Sequence, residues 1–296
     1  MKDKWLMIGV GATFLAFFLM VISMMTLSRQ SSKNKELLTH IPAGAQEPAP
    51  ARVEDYSLYK TLVGDDGRVM VEIPEGPFKM GSNEGDHDEA PEHQIYLKTY
   101  YIDKYEVTQA EYDRFIRATK RAKPFVPVFD EDPSKILKPE YAAMGMSWFD
   151  ASAYCQWAGK RLPTEAEWEK AAKGEGTRKY PWGNNMAPQY ANLEGEEDGY
   201  KYLAPPGKFE LGRSFYGLYD MAGNIAEWVA DTYDDTYYKK TPYRDPKGPE
   251  DGQNRVIRGG SWRESPAGAR VAKRFQAKIW RTDATIGFRC AKDSAS

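Results

Sequence analysis

Thiols and imidazoles are scarce in this chain. Its 296 residues include two cysteines, Cys155 and Cys290, and three histidines, His40, His87 and His93. Neither cysteine belongs to a C-x-x-C pair, which argues against a thiolate zinc site. Three histidines so placed support no Ser/His/Asp nucleophile arrangement. Excess charge is missing too. Lys and Arg number 41 against 43 Asp and Glu, a formal balance of −2, which argues against a nucleic-acid partner. Aromatic residues, by contrast, are plentiful, with eight Trp and nineteen Tyr. Two roles suit them: filling a core with little regular structure, or lining a cleft.

One long apolar run stands at the start. Trp5 to Leu27 carries no charge over 23 residues. At about 1.5 Å per residue it can cross a hydrocarbon core of about 30 Å. It exceeds an ordinary signal-peptide core, and no small-x-small site follows it cleanly. Residues 1–28 therefore read as an uncleaved transmembrane signal anchor. Lys2 and Lys4 precede the run, while Arg29, Lys33 and Lys35 follow it. Charge does not settle the topology. Residues 29–55, polar and then Pro/Ala-rich, read as a semi-extended tether. Residues 56–296 show no further linker and no repeat, and read as one domain.

Within that domain the pattern predicts three helices. Thr108 with Glu111, Ser147 with Asp150, and Thr164 with Glu167 each form a capping-box signature. The helices they open run through AEYDRFIRAT, FDASAYCQWAG and TEAEWEKAAKG. Trp168, Ala171 and Ala172 give the third an apolar face. VMVEI, IYLKTYYI and RVIRGG read as extended, and Gly and Pro punctuate nearly everything else. The class is α+β with much irregular backbone. Irregular backbone leaves carbonyls in search of partners. Two Gly-rich segments offer oxygen ligands: Tyr190 to Tyr202, with Asn192 and Asp198, and Gly217 to Trp228, with Asp220, Asn224 and Glu227. Such oxygen sets suit Ca²⁺. They suit Asx-turns and helix caps equally.

Several phrases then fall into one order. FKMGS (Phe78 to Ser82) is followed by EAPEHQIYLKTYYIDKYEVTQAEYDRF and MSWFDASAYCQWAGKRLPTEAEWEKAAKG. YPWGN, GLYDMAGNIAEWVADTY, RVIRGGSW and GFRCA come after them. Together these resemble the formylglycine-generating enzyme, or sulfatase-modifying factor, family over almost all of residues 70–293. The resemblance implies a C-type lectin-related fold. It implies two structural calcium sites. The first would use the side chains of Asn192 and Asp198 with the carbonyls of Leu193 and Tyr200. The second would use the side chains of Asp220 and Glu227 with the carbonyls of Gly223 and Ile225. It also implies a Cys155–Cys290 disulfide, the other reading being two buried free thiols. A disulfide suits an oxidising, extracytoplasmic compartment such as the periplasm.

In the enzymes that name this family, two cysteines after the GGS turn bind Cu(I) and oxidise a substrate cysteine with O₂. Here the resemblance places Glu264 and Ala269 at those positions. Ala ligates nothing, and a carboxylate matches Cu(I) poorly. No catalytic residue and no copper are expected, although Glu264 has the chemistry of a general acid or base. Arg258, Arg270 and Arg274 are expected to give the turn a basic surround. His87 and His93, among Asp86, Asp88, Glu89 and Glu92, read as an acidic scaffold loop in preference to a metal site. Two functions remain. The first is a non-catalytic binding or accessory subunit, or a maturation factor, for a membrane or envelope complex. The alternative is a metal-dependent oxidase or oxygenase with altered chemistry.

Overall fold

The computed structural model describes Tyr56, residues 59–124 and residues 133–294. The apolar run Trp5 to Leu27 and the tether lie outside the described residues.

Four strands come early: β1 (Thr61–Val63), β2 (Val69–Ile73), β3 (Gly76–Met80) and β4 (His93–Leu97). β5 (Tyr100–Asp103), α1 (Gln109–Thr119), α2 (Trp148–Trp157) and α3 (Glu165–Lys173) follow. The remainder holds β6 (Ala226–Thr232), β7 (Asn254–Arg258), β8 (Phe275–Lys278), β9 (Ile286–Gly287) and β10 (Ala291–Asp293), separated by long irregular stretches. The stretch read as one extended run, IYLKTYYI, lies across two strands, β4 and β5. Each belongs to a different sheet. β3 and β4 form a hairpin, whereas β5 lies in a sheet of order β1-β2-β5-β10. A third sheet has the order β8-β7-β6-β9.

All three capping boxes form. Thr108, Ser147 and Thr164 each accept the N–H three residues on, and Glu111, Asp150 and Glu167 return the bond to the cap backbone. The orphan N–H groups of each first turn are thereby met. The third helix departs from its sequence pattern. Its apolar face at Trp168, Ala171 and Ala172 is buried as expected, but so is everything else, and all nine residues of α3 are buried.

Five of those nine are charged, and each finds a partner inside. Arg258 donates to Glu165 at 3.2 Å and to Glu169 at 2.5 Å. Arg274 holds Glu165 with two bonds, of 2.7 and 3.0 Å. Lys173 bonds Glu169 and the carbonyls of Lys79 and Gly81. Burial opposes the Glu169 charge, yet Lys173 and Arg258 outweigh it and hold its carboxyl below the ordinary range. Glu167 accepts a forked pair from Arg161, both bonds at 2.7 Å. Lys170 donates to the carbonyls of Pro74 and Gly76, and burial pushes its ammonium down to about 8.

A second buried network sits beside the disulfide. Lys160 reaches both oxygens of Asp66 and one of Asp103, all at 2.8 Å and all fully buried. Arg68 joins Asp103 to Glu111. The N–H of Cys290 also donates to Asp103, at 3.1 Å. Cys155 of α2 and Cys290 are joined, 135 residues apart, with 5.6 Å between Cα atoms. Closing a loop of that length stabilises by about 5 kcal/mol in the chain-entropy account.

Asp231 caps the N-terminus of α3 from outside, accepting the Glu165 N–H at 2.7 Å. Burial, with the Glu165 carboxylate second, pushes its carboxyl up to about 8. The unfolded value is about 3.9. Between those two values the folded chain holds a proton that the unfolded chain has lost. Its stability therefore falls as pH rises through that window. Asp231→Asn keeps the acceptor and removes the titration. Thermal unfolding at pH 5 and pH 8 should show a loss smaller by about 2 kcal/mol or more in the variant. Parallel losses in the two proteins would show that Asp231 stays ionised across the range.

Candidate functional site

A cleft of about 490 Å³ opens at one end of the β8-β7-β6-β9 sheet. Its floor is apolar, from Ala226, Ile257 and Ile286. Its walls are the Gly260–Ser261 turn, strand β8 and the stretch from Trp280 to Thr285. The turn depends on glycine. Gly259 and Gly260 have φ of 90° and 70°, and a Cβ on Gly260 would stand 2.8 Å from the Gly268 carbonyl. Trp262 then turns inward, its N–H bonded to the Asn224 carbonyl.

The two residues expected at the copper-cysteine positions part company here. Glu264 lines the cleft, with its side chain lying over Gly268, where a Cβ would meet the carboxylate at 2.6 Å. Ala269 is fully buried in an apolar cluster with Ala191, Leu193 and Ala222, against Trp182 and Met186. The sulfurs are elsewhere, since both cysteines are in the disulfide and none is free. The residues do not fit a copper–thiolate centre.

The expected basic surround is not there. Arg258 is fully buried on Glu165 and Glu169, and Arg274 is held by Glu165. Arg270 forks onto Glu89 at 2.6 and 2.7 Å. All three are occupied in holding the loop they belong to against α3 and the 86–89 segment. The acidic loop is likewise engaged. Asp86 pairs with Lys273, and Asp88 accepts from the Tyr233 hydroxyl. Asp86, Asp88 and Glu89 have oxygens close enough to share an ion, but each already has a donor. His87 is exposed and faces Asp235 at 3.6 Å. His93 places Nδ1 2.7 Å from the Pro91 carbonyl and its ring edge-on to Tyr238.

The two oxygen-rich segments adjoin each other, because Asn192 and Asn224 are bonded through side chains at 3.0 Å and through backbone at 2.8 Å. In the first segment, Asn192 donates its Nδ2 to the Tyr202 carbonyl, while its buried Oδ1 has no partner among the described residues. Asp198 accepts the N–H groups of Leu193 and Tyr200, an Asx-turn in form. Burial raises its carboxyl above the ordinary range. An unmet amide oxygen beside a half-buried carboxylate is a donor set that fits a hard cation.

The second segment holds an imbalance that the sequence did not disclose. Asp220 and Glu227 are joined by Glu106, from the loop before α1, whose oxygens take the Asn224 side chain at 2.6 Å and the Ile225 N–H at 3.1 Å. Arg289 is the cation among them, donating to Glu227 at 2.7, 2.8 and 2.9 Å. Trp168 adds an N–H to Glu227. Burial, then Asp220 and Glu227, push Glu106 well above the carboxylate range. Burial likewise takes Asp220 up to about 6. Three buried carboxylates against one guanidinium call for protons or a second cation. Glu227 already accepts from Arg289 and Trp168. Among the described residues Asp220 accepts only the Gly207 N–H, at 2.6 Å, and is the freer ligand. Glu106 escaped sequence reasoning because a lone acid ahead of a capping box looks like surface.

Comparison with known proteins bears on this geometry. The family model for the sulfatase-modifying factor enzyme 1-like domain matches residues 58–294. The formylglycine-generating enzyme of Streptomyces coelicolor is 31% identical over 310 residues, covering 86% of this chain and 95% of that one. The serine/threonine-protein kinase pkn1 of Chlamydia caviae is 36% identical over 241 residues, which is 75% of this chain. The chain spans only 38% of the length of that relative. Among solved structures, PvdO from Pseudomonas aeruginosa superposes with a TM-score of 0.70 at 29% identity, covering 79% of this chain and 98% of PvdO.

Proposed function

We propose that this chain, which belongs to the sulfatase-modifying factor enzyme 1-like family, is a non-catalytic binding or accessory member of it. Its domain is held to a membrane by the Trp5–Leu27 run and works outside the cytoplasm. It acts as a subunit of, or maturation factor for, a membrane or envelope protein complex. One observation carries this reading: the fold commits both of its cysteine sulfurs to the Cys155–Cys290 bridge. The cleft that remains has an apolar floor, one uncommitted carboxylate at Glu264 and a 59% exposed Trp280 at its rim. That is the composition of a binding surface, with an anchor ring and a polar edge. The anchor raises the local concentration of the domain around a membrane partner.

The disulfide supports an oxidising compartment. Two calcium ions complete the reading. One would sit on Asn192, Leu193, Asp198 and Tyr200, where the orphaned Asn192 oxygen supports it. The other would sit on Asp220, Gly223, Ile225 and Glu227, where the excess of buried carboxylates supports it.

Two outcomes are expected. The full chain, loaded with Cu(I) and given O₂ and a cysteine peptide of the sulfatase motif, should leave the thiol intact by mass spectrometry. Catalytic conversion to the aldehyde would overturn the non-catalytic reading, and a redox metal retained on the purified chain would favour the oxidase. Calcium at about 1 mM, against a dissociation constant of about 10⁻⁵ M, adds about 2.7 kcal/mol per site. That is a rise in melting temperature of about 5–10 °C per site. Asp198→Ala and Asp220→Ala should each remove one share of the rise. A melting temperature indifferent to chelator, with no calcium by elemental analysis, would show that both segments are plain turns.

A further inference from the structure

Strand β8 forms one wall of the cleft, which Phe275, Gln276, Ala277 and Lys278 all line. It is also the outer strand of its sheet, paired on one side only, with β7. The register fixes what its other side presents. Ile279 donates its N–H to Gln253, in step with the pairs Ala277↔Arg255 and Phe275↔Ile257. Phe275 and Ala277 therefore spend their backbone groups on β7, as Ile279 does its N–H, and Gln276 and Lys278 turn theirs outward. The Lys278 carbonyl is closed off by the Arg281 N–H at 2.8 Å. The N–H and C=O of Gln276 and the N–H of Lys278 have no partner among the described residues. Phe275 and Ala277 pack inward against the α2 core, so the strand is held rigid from behind while its edge stays open.

An open edge invites either a second copy or a foreign strand. Charge distinguishes the two. Among the described residues the Lys278 ammonium meets only neutral groups, the Gln253 side-chain oxygen at 3.2 Å and the Trp280 ring at 5.5 Å. Two copies paired here would bring two such cations toward one another. A segment with an acidic side chain across from Lys278 would gain a cross-strand pair instead. Trp280, 59% exposed at the mouth, offers such a segment a ring to lie against.

We propose that the cleft receives an extended segment of a partner protein, added as a strand along the outer edge of β8, with an acidic residue opposite Lys278. This rests on the reading of the cleft as a binding surface and specifies what it binds. Main-chain bonds to Gln276 and Lys278 give the grip, and Lys278 selects the sequence.

The test uses the full-length chain and three capped octapeptides, read by fluorescence anisotropy. The first alternates Thr and Val with a central Glu. The second has Lys in place of that Glu. The third is the Glu peptide with alternate amides N-methylated, made in both phases. The Glu peptide should bind about fivefold or more tighter than the Lys peptide. N-methylation in one phase should weaken it about tenfold or more, and in the other phase much less. Lys278→Glu should reverse the charge preference. Gln276→Pro removes an outward N–H without touching the β7 bonds and should weaken all the peptides together. Equal binding of both N-methylated phases and the parent would overturn strand addition while leaving the cleft a binding surface. Binding unaffected by Lys278→Glu would overturn the selective role of that residue. Absence of binding by every peptide would overturn the proposal. Self-association of the chain that Gln276→Pro abolishes would assign the edge to a second copy instead.

Discussion

The fold turns on the pairing of Arg258 and Arg274 with Glu165 and Glu169, inside the protein and out of reach of water. A helix that is charged and wholly buried is stable only if each charge is met, because a single unmet ion there costs about 3–5 kcal/mol. The partners of α3 come from β7, from the loop after it and from the β3 hairpin. Satisfying the helix therefore fixes those segments relative to one another. The irregular backbone between Arg258 and Arg274 needs no regular hydrogen-bond ladder, since both its ends are held by guanidinium forks. The Gly260–Ser261 wall of the cleft belongs to that same stretch. The arginines expected to surround the turn shape it from behind.

Local rules were legible from the chain and long-range partners were not. The capping boxes at Thr108, Ser147 and Thr164 are complete within four residues, and each appears in the structure. The Cys155–Cys290 pairing came with the family resemblance and is present. The charged residues of α3 follow a pattern compatible with a solvated face. What reverses it is Arg258 and Arg274, 93 and 109 residues beyond Glu165, and no window on the helix contains them. Glu106 failed to stand out for the same reason. Its importance lies in Asp220, Glu227 and Arg289, which only tertiary structure gathers around it. In the site itself, Glu264 and Ala269 were read as a matched pair, yet one faces the cleft and the other the core.

On the reading proposed above, the scaffold is kept and its chemistry vacated. The turn, the cleft and the oxygen-rich segments persist, and the only two thiols are occupied in holding α2 to the strand end before β10. On that reading the surface docks a partner, and the requirements on it change accordingly. Rigidity behind β8 and an open edge in front matter more there than the pKa of any one side chain.

The sheet order β1-β2-β5-β10 places the first described strand and the last at opposite edges of one sheet. Arg289 and Cys290 lie just before that last strand. Synthesis delivers these residues after the other described strands of the sheet. Until they arrive, Glu106, Asp220 and Glu227 lack their guanidinium, β5 lacks its outer neighbour and α2 lacks its covalent tie. The domain therefore cannot complete its centre in stages from the front, and one short segment, 289–293, supplies the sheet edge, the bridge and the counter-ion together.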